Sequence, residues 1–248
     1  MRELVTALRT LTLLPVPGPD TLHFSRALYW FPVVGLLIGV IEAGFGYLIM
    51  FTGWPEVAAA TVLLAGIAVT RGIHVDGFAD TVDGFFGGRS AEERLRIMKD
   101  PAVGSFGAIA LILLLLFKWI ILEKILLLGL YGWIVSGSML ARMVQVLLAS
   151  SLPYARAEGG KASGFIEGAG RSHIIFAILS SVSCLLLILN GMLIPAIIAF
   201  LSAVACAYLA GIVSMRRIGG VSGDVLGASS EITEVTVWVA GVLFSILS

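Results

Sequence analysis

Three aspartates, Asp76, Asp80 and Asp83, stand in segment 72–88, which joins two strongly apolar parts of the chain. If this segment is helical, spacings of four and three residues place the carboxylates within about 60° of one another on one face. Three like charges repel one another, so the face is stabilised either by water or by a bound cation. The intervening residues are mainly glycines and apolar side chains rather than lysines, which favours the cation. Oxygen ligands alone indicate a hard ion, Mg²⁺ or Mn²⁺ before Ca²⁺.

His74 belongs to the same segment but points elsewhere. On a helix it lies about 160° around from Asp76, so it would not share the aspartate face. It is a candidate phosphate donor or proton carrier, and a structural role is the alternative.

Segment 219–231 repeats the combination of glycines and carboxylates. Gly219, Gly223 and Gly227 are four residues apart, and Asp224 stands seven residues before Glu231. The small residues allow close backbone approach to a ligand, and the two carboxylates are candidates to complete a metal site or to orient a hydroxyl. The alternative is a glycine cap that ends one helix and is followed by the start of the next.

A third candidate lies at the start of a later apolar segment, where Gly104 and Ser105 would form a helix N-terminus. Helix N-termini attract anions, so these two residues are predicted to contact phosphate. Lys99 lies just before them, and three further basic residues of the same connection could hold phosphate oxygens: Arg89, Arg94 and Arg96. Together these elements predict a metal-dependent site for a phosphorylated substrate, with phosphoryl transfer as the reaction.

The composition defines the setting of this chemistry. Of 248 residues, 58% are hydrophobic and 13% are charged, and the mean hydropathy is +1.03, well above the usual value for a soluble domain. The fold class predicted is therefore an all-α, polytopic membrane bundle formed by one domain over residues 1–248. Lysines and arginines number 16, as do the acidic residues, so net charge gives no indication of a nucleic-acid partner and none is expected.

A spanning helix needs about 20 mainly apolar residues, and on that basis we expect about seven of them. The candidates are Tyr29 to Phe51, Glu56 to Thr70, Gly104 to Leu122, Leu126 to Ser150, His173 to Leu189, Ile194 to Val213 and Val235 to Leu247. The second and the last are short enough to be tilted, broken or partly re-entrant.

Basic residues concentrate in alternate connections between these spans. They stand in the N-terminal segment and in connections 71–103, 151–172 and 214–234. The positive-inside rule then places the N-terminus and these three connections in the cytoplasm, and the C-terminus outside. These connections are long, charged and rich in glycine, whereas the other connections are tight turns, so the catalytic face is expected to be cytoplasmic.

The motifs, taken in order, resemble those of the adenosylcobinamide-GDP ribazoletransferase family, the cobalamin (5′-phosphate) synthases. They are His74-Val-Asp-Gly-Phe-Ala-Asp-Thr-Val-Asp-Gly84, Met98-Lys-Asp100 with Gly104 and Gly107, Tyr154-Ala-Arg-Ala-Glu-Gly159, and Gly219-Gly-Val-Ser-Gly-Asp-Val-Leu-Gly-Ala228 with Glu231. Leu14-Pro-Val-Pro17 and Phe31-Pro32 fit the opening of the same family.

The resemblance implies a multi-pass enzyme of the cell inner (cytoplasmic) membrane, acting late in cobalamin assembly. In that family α-ribazole, or its 5′-phosphate, attacks adenosylcobinamide-GDP, releases GMP and closes the nucleotide loop with Mg²⁺. Other cobalamin-assembly enzymes are possible partners, beside the lipid bilayer.

The resemblance also assigns roles to individual residues. Asp76, Asp80 and Asp83 would hold Mg²⁺ on the diphosphate, with Asp100 and Asp224 as candidates for a second metal or its water shell. One of these carboxylates, or Glu231, would accept the hydroxyl proton. Three basic side chains are candidates for contacts with phosphate or nucleotide, in the order Arg156, then His74 and Lys99.

Two rival functions fit parts of the pattern. A CDP-alcohol phosphotransferase also uses an aspartate-rich helix, but that family has an Ala-Arg pair after its first Asp-Gly, where this chain has Ala79-Asp80. A cation transporter would place carboxylates at mid-membrane on several helices, whereas these lie at predicted helix ends beside basic connections.

Overall fold

The fold, described here from a computed structural model, is a bundle of α-helices. The structure describes residues 1–160 and 162–248. Lys161, one of the basic residues of connection 151–172, therefore lies outside the described residues. The described helices are α1 (Arg2–Leu11), a 3₁₀ helix (Phe24–Trp30), α2 (Phe31–Met50), α3 (Pro55–Val69), α4 (Ile73–Gly87), α5 (Ala91–Ile97), α6 (Ser105–Leu127), α7 (Tyr131–Ser151), α8 (Ser163–Ile166), α9 (Arg171–Ile188), α10 (Leu193–Ile218) and α11 (Gly223–Leu247).

Six helical stretches of the described chain are long and apolar enough to cross a membrane. They are 24–50, α6, α7, α9, α10 and α11. The pair α3 and α4 also passes if it is counted as one span, although the two helices are bent by 88° at their junction. The predicted all-α membrane bundle is therefore confirmed, with six to seven spans.

The junction between α3 and α4 depends on left-handed backbone. Arg71 has a φ of 57° and Gly72 a φ of 66°, a region in which glycine carries no Cβ penalty. These two residues turn the chain so that α4 leaves α3 at nearly a right angle. The segment that carries Asp76, Asp80 and Asp83 is helical, as the spacing predicted.

The last helix is longer than predicted. The sequence predicts that this span begins at Val235, whereas α11 begins at Gly223, where the Ser222 hydroxyl accepts the Val225 N–H at 3.3 Å. Hydropathy missed the first half because it contains Glu231 and Glu234. Both carboxylates are buried and paired with Lys118. This pairing offsets the free-energy cost of placing a charged side chain inside a membrane helix.

The N-terminal segment and the three basic connections meet at one end of the bundle. The Leu13 N–H donates to the Val69 carbonyl at 2.7 Å, which joins the N-terminal segment to the end of α3. The Arg94 guanidinium donates to the Arg217 carbonyl at 2.9 Å, and the Ala155 N–H donates to the Val221 carbonyl at 2.9 Å. The compartment that this end faces remains a prediction.

Helix α4 packs unusually close to α11. A Cβ added to Gly77 would lie 2.9 Å from the Cα and carbonyl oxygen of Asp224, and one added to Gly227 would lie 3.2 Å from the His74 carbonyl oxygen. Residue numbers rise along one helix as they fall along the other, so the two segments run antiparallel. Only glycine at position 77 permits the two helices to lie this close together. The contact joins two acidic segments that are 147 residues apart in the chain, since 224 − 77 = 147.

The first prediction concerns this contact. Gly77→Ala should destabilise the protein by about 1–3 kcal/mol, because the added methyl meets backbone atoms that cannot rotate away. The matched control is Gly44→Ala within α2, where an added Cβ meets nothing within 4 Å. We expect the thermal unfolding midpoint in detergent to fall for Gly77→Ala and to hold or rise for Gly44→Ala. Equal midpoints for the two variants would contradict the close approach.

Candidate active site

Asp76 and Asp80 lie one helical turn apart on α4, at the end of the bundle where the basic connections meet. Asp76 is exposed and Asp80 is partly buried. Asp224, the second residue of α11, approaches them because Gly77 packs directly against its backbone. The charges of Asp76 and Asp224 both act on the Asp80 carboxyl, so the three acidic groups form one electrostatic unit.

Arg156 supplies the opposite charge. Its Nη2 atom donates to Asp224 Oδ2 at 2.6 Å, and the two side chains are only 14% and 23% exposed. The Ser222 hydroxyl lies 3.4 Å from the same Oδ2 atom. A half-buried pair of this kind holds its geometry better than a surface ion pair, because less water competes for either partner.

Backbone hydrogen bonds hold Arg156 in place. The Val221 N–H donates to the Pro153 carbonyl at 2.8 Å, beside the Ala155 to Val221 bond. A Cβ at Gly220 would come within 2.3 Å of the Pro153 carbonyl oxygen, so this contact requires glycine. Two backbone hydrogen bonds therefore join the Tyr-Ala-Arg segment to the 219–224 segment.

An open cavity of about 550 Å³ adjoins Arg156. Its lining includes Arg96, Lys99 and Glu158, together with Leu95 and Ile218. The Lys99 ammonium is paired with the Glu158 carboxylate, and this hydrogen bond lowers the pKa of Glu158. The cavity thus combines charged side chains of both signs, three basic and two acidic, with apolar surface.

Tyr154 directly precedes Ala155 and Arg156, which line the cavity, and burial raises the pKa of its phenol. The hydroxyl therefore stays protonated at neutral pH and can donate a hydrogen bond. A Cβ at Gly160 would lie 2.3 Å from the phenol oxygen, so glycine at that position is what leaves room for the ring.

Asp83 does not share the position of Asp76 and Asp80. Its Oδ2 atom accepts the Gly104 N–H at 2.7 Å and its Oδ1 atom accepts the Gly107 N–H at 2.8 Å, with the residue 8% exposed. Asp83 therefore caps the N-terminus of α6, where its charge also favours the helix dipole. The structure thus gives Asp83 a capping role that the sequence did not indicate. Because each carboxylate oxygen can accept a further bond, its metal and catalytic role stays a prediction.

The same contacts correct the prediction for Gly104, whereas that for Ser105 stays a prediction. The Gly104 N–H, expected to bind a phosphate, already binds the Asp83 carboxylate. Ser105 is the exposed first residue of α6. An acidic side chain of the protein thus fills the anion site that the sequence indicated.

His74 and Glu231 face the interior of the bundle. His74 is 3% exposed, and its Nδ1 atom lies 3.1 Å from Arg142 Nη2. Glu231 is 5% exposed and accepts a hydrogen bond from Lys118 at 2.5 Å. It also stands seven residues, about 10 Å, further along α11 than Asp224. The structure therefore does not bring His74 or Glu231 to the aspartate face, in disagreement with their expected substrate and proton-transfer roles.

The remaining candidates lie around the site. Asp100 is exposed in the connection between α5 and α6, where its Oδ1 atom accepts the Ala102 N–H at 2.9 Å. Gly219 has a φ of 71° and ends α10 as a left-handed C-cap, which is the structural alternative considered for it. Gly223 is the exposed first residue of α11.

Oxygen ligands for a metal are present, but they do not form a closed cage. No group of three or more histidine, cysteine or acidic side chains is arranged to hold a metal ion within residues 1–160 and 162–248. Mg²⁺ usually binds one or two carboxylates together with substrate phosphates and water. Asp76 and Asp80, with Asp224 across the helix contact, fit that second kind of site by the chemistry of their donors.

Sequence reasoning missed the buried charges. Arg142 and Glu234 form an ion pair in the bundle interior, Lys118 pairs with Glu231 and Glu234, and Ser138 donates to Glu42 at 2.5 Å. The available signal was the presence of ionisable residues inside apolar spans, which in membranes are costly unless paired. We refer to Lys118, Arg142, Glu231 and Glu234 as the core ion network.

The fold and the site define a polytopic helical membrane protein that gathers carboxylates and an arginine at one end beside an open cavity. A family profile described as cobalamin-5-phosphate synthase matches residues 3–242, and the chain belongs to this family. It is 62% identical over 248 residues to the adenosylcobinamide-GDP ribazoletransferase of Chlorobium phaeobacteroides (strain BS1), covering 100% of both chains.

More distant relatives carry the same name. The protein of Prosthecochloris aestuarii (strain DSM 271 / SK 413) is 54% identical over 97% of both chains. That of Shewanella baltica (strain OS155 / ATCC BAA-1091) is 36% identical over 93% of this chain and 90% of its own length. No solved structure matches the chain.

The second prediction separates the aspartates by role. Asp83→Ala should lower stability by about 1–3 kcal/mol, because it leaves two N–H groups at the start of α6 without a partner. Asp76→Ala should change stability by less than about 0.5 kcal/mol, since the residue is exposed. Thermal unfolding of the purified variants measures both, and a midpoint for Asp83→Ala equal to that of Asp76→Ala would disprove the capping role.

Proposed function

We infer that this chain is an adenosylcobinamide-GDP ribazoletransferase, which joins adenosylcobinamide-GDP and α-ribazole, or its 5′-phosphate, with release of GMP. The supporting observation is the family match over residues 3–242. The structure adds that the motifs carrying Asp76, Asp80, Arg156 and Asp224 meet at one end of the bundle. The shared name of relatives from 62% down to 36% identity supports this activity over the two rivals.

The reaction is a phosphoryl transfer in which one P–O bond replaces another. A ribazole hydroxyl oxygen bonds to the cobinamide-side phosphorus, the bond from that phosphorus to the GMP oxygen breaks, and the hydroxyl proton passes to a base. Such transition states are loose, so catalysis consists mainly of positioning and of charge stabilisation. The chain provides both at the end of α4.

Arg156 holds the diphosphate. A guanidinium has five N–H donors in a planar fork, and Arg156 uses one of them for Asp224. The others can bind phosphate oxygens while Asp224 fixes the plane of the group. Lys99 contributes a second positive charge on the wall of the same cavity.

Asp76 and Asp80, with Asp224, are the residues that would hold Mg²⁺. When bound, the ion neutralises the negative charge of the diphosphate. The proton acceptor belongs to the same three carboxylates, because Asp83 is engaged with two N–H groups and Glu231 with Lys118.

The location proposed for the enzyme is the cytoplasmic (inner) membrane, with the active site toward the cytoplasm. Its basic connections, which the positive-inside rule assigns to that side, form the end of the bundle that carries the site. Other enzymes of cobalamin assembly would dock on the same face.

The third prediction tests the activity itself. Purified protein incubated with adenosylcobinamide-GDP, α-ribazole and Mg²⁺ should release GMP, and turnover should require the metal. Asp76→Asn, Asp80→Asn and Asp224→Asn should each lower kcat by about 10²–10³-fold, because each removes a charge that stabilises the transition state.

The control is Asp20→Asn, an aspartate outside the site that contacts Thr6 and Arg9 and should leave turnover unchanged. Release of CMP from a CDP-alcohol without any release of GMP would replace the proposal by the phosphotransferase rival.

The fourth prediction concerns Arg156. Arg156→Lys keeps the positive charge but loses the planar fork, so it cannot hold Asp224 and two phosphate oxygens together. We expect kcat/KM for adenosylcobinamide-GDP to fall at least about tenfold, a loss typical of a charge-assisted hydrogen bond of about 1.5–3 kcal/mol. Steady-state kinetics measure it, and a wild-type value would remove Arg156 from the phosphate contact.

A further inference from the structure

Arg142 lies near the middle of α7, most of which is enclosed by other helices. The residue is 1% exposed, and its guanidinium reaches two other helices at once. Nη1 donates to the Ser230 hydroxyl at 3.1 Å and to Glu234, both on α11. Nη2 lies 3.1 Å from His74 Nδ1 on α4. One rigid group thus contacts both helices that carry the active-site aspartates.

The contact also determines the state of His74. Arginine is a donor only, so Nδ1 must accept the hydrogen bond and the ring proton must sit on Nε2. A neutral imidazole of this tautomer is matched to the guanidinium, whereas a doubly protonated ring would repel it. The contact is therefore specific for an acceptor at the position of Nδ1.

The position of the Arg142–His74 contact along the two helices couples it to the placement of the active-site aspartates. Gly77 meets Asp224 at one point of the antiparallel pair, and His74 meets Gly227 about one turn further into the bundle. Arg142 bridges His74 and Ser230 just beyond that second point. A slide of α4 along α11 would break this bridge and would move Asp76 and Asp80 past Asp224 by the same amount.

The core ion network keeps Arg142 itself in place. Glu234 accepts hydrogen bonds from Arg142 and, at 2.7 Å, from Lys118 on α6. Lys118 in turn holds Glu231 at 2.5 Å. Two cations and two carboxylates therefore balance one another within the bundle, and the planar Arg142 fork has few ways to rotate.

We propose that Arg142 is a positioning residue that sets the register of α4 against α11 through His74 and Ser230, and so sets the distance from Asp76 and Asp80 to the Asp224–Arg156 pair. This inference rests on the proposed function for its kinetic readout. It does not place Arg142 or His74 in contact with substrate. In this proposal the buried imidazole of His74 fixes the position of α4, and the placement of Asp76 and Asp80 depends on that position.

The fifth prediction uses Arg142→Lys, which keeps the charge next to Glu234 but cannot also reach His74 in a fixed plane. We expect kcat for GMP release to fall about 10²-fold while KM for adenosylcobinamide-GDP changes less than about threefold, because a displacement of about 1 Å affects the transition state most. The matched control is Glu42→Gln, which alters another buried carboxylate that contacts α7 through Ser138. It should leave kcat unchanged, and an equal loss there would overturn the specific role of Arg142.

Replacement of His74, the partner of Arg142, gives a second test. His74→Leu removes the acceptor and should reproduce the kinetics of Arg142→Lys, whereas His74→Asn offers an amide oxygen near the position of Nδ1 and should recover most of the lost kcat. A purely structural role would instead follow side-chain volume. Equal kcat values for the leucine and asparagine variants would therefore contradict the proposal.

A distance measurement separates failure of this inference from failure of the proposed function. Spin labels at Phe86→Cys on α4 and Ile232→Cys on α11, both exposed positions, report the register when Cys184 and Cys206 are changed to serine. Arg142→Lys should shift or broaden the distance distribution, and Glu42→Gln should not. An unchanged distribution in Arg142→Lys would overturn the register proposal, whereas a wild type that releases no GMP would overturn the proposed function alone.

Discussion

The site depends on the backbone contact between α4 and α11 at Gly77. Each helix alone carries carboxylates on an apolar scaffold, and neither has the opposite charge or the spacing to bind a diphosphate. Because Gly77 has no Cβ, Asp224 comes within van der Waals contact of α4 and brings Arg156 with it. Small residues at helix contacts are a usual feature of membrane bundles, where packing rather than burial from water drives association.

The charges of this chain serve two purposes in two environments. At the end of the bundle, Arg156 and Lys99 line an open cavity, Asp76 is exposed and Asp80 is half-buried. Inside the bundle, the members of the core ion network pair with one another. Removal of one partner from a buried pair costs about 3–5 kcal/mol, because the other charge is left without compensation. Such a network therefore permits few alternative arrangements of the helices around it, and α4 is tied to it through His74.

A capping interaction explains why three aspartates at helical spacing have different roles. Asp76 is exposed and Asp80 is half-buried within the field of Asp76 and Asp224, whereas Asp83 meets the N-terminus of α6 at Gly104 and Gly107. Both glycines are required, since a Cβ at either position would lie within 2.5 Å of the Asp83 carboxylate. The aspartate that the sequence grouped with a metal site thus joins α4 to α6. It orients the other two indirectly.

The sequence by itself determined the membrane setting, the approximate spans, the helical character of segment 72–88 and the family motifs, because hydropathy and local spacing are properties of neighbouring residues. Only the tertiary structure decided which carboxylates meet. Whether Asp224 lies beside Asp76, and whether Glu231 faces Lys118 or the cavity, depends on which helices pack together and in what register. The twelve residues missed at the start of α11, from 223 to 234, have the same cause. A hydropathy window counts Glu231 and Glu234 as unfavourable charges, and their partners Lys118 and Arg142 stand on other helices, about 90 to 115 positions earlier in the chain, where no local pattern can reveal them.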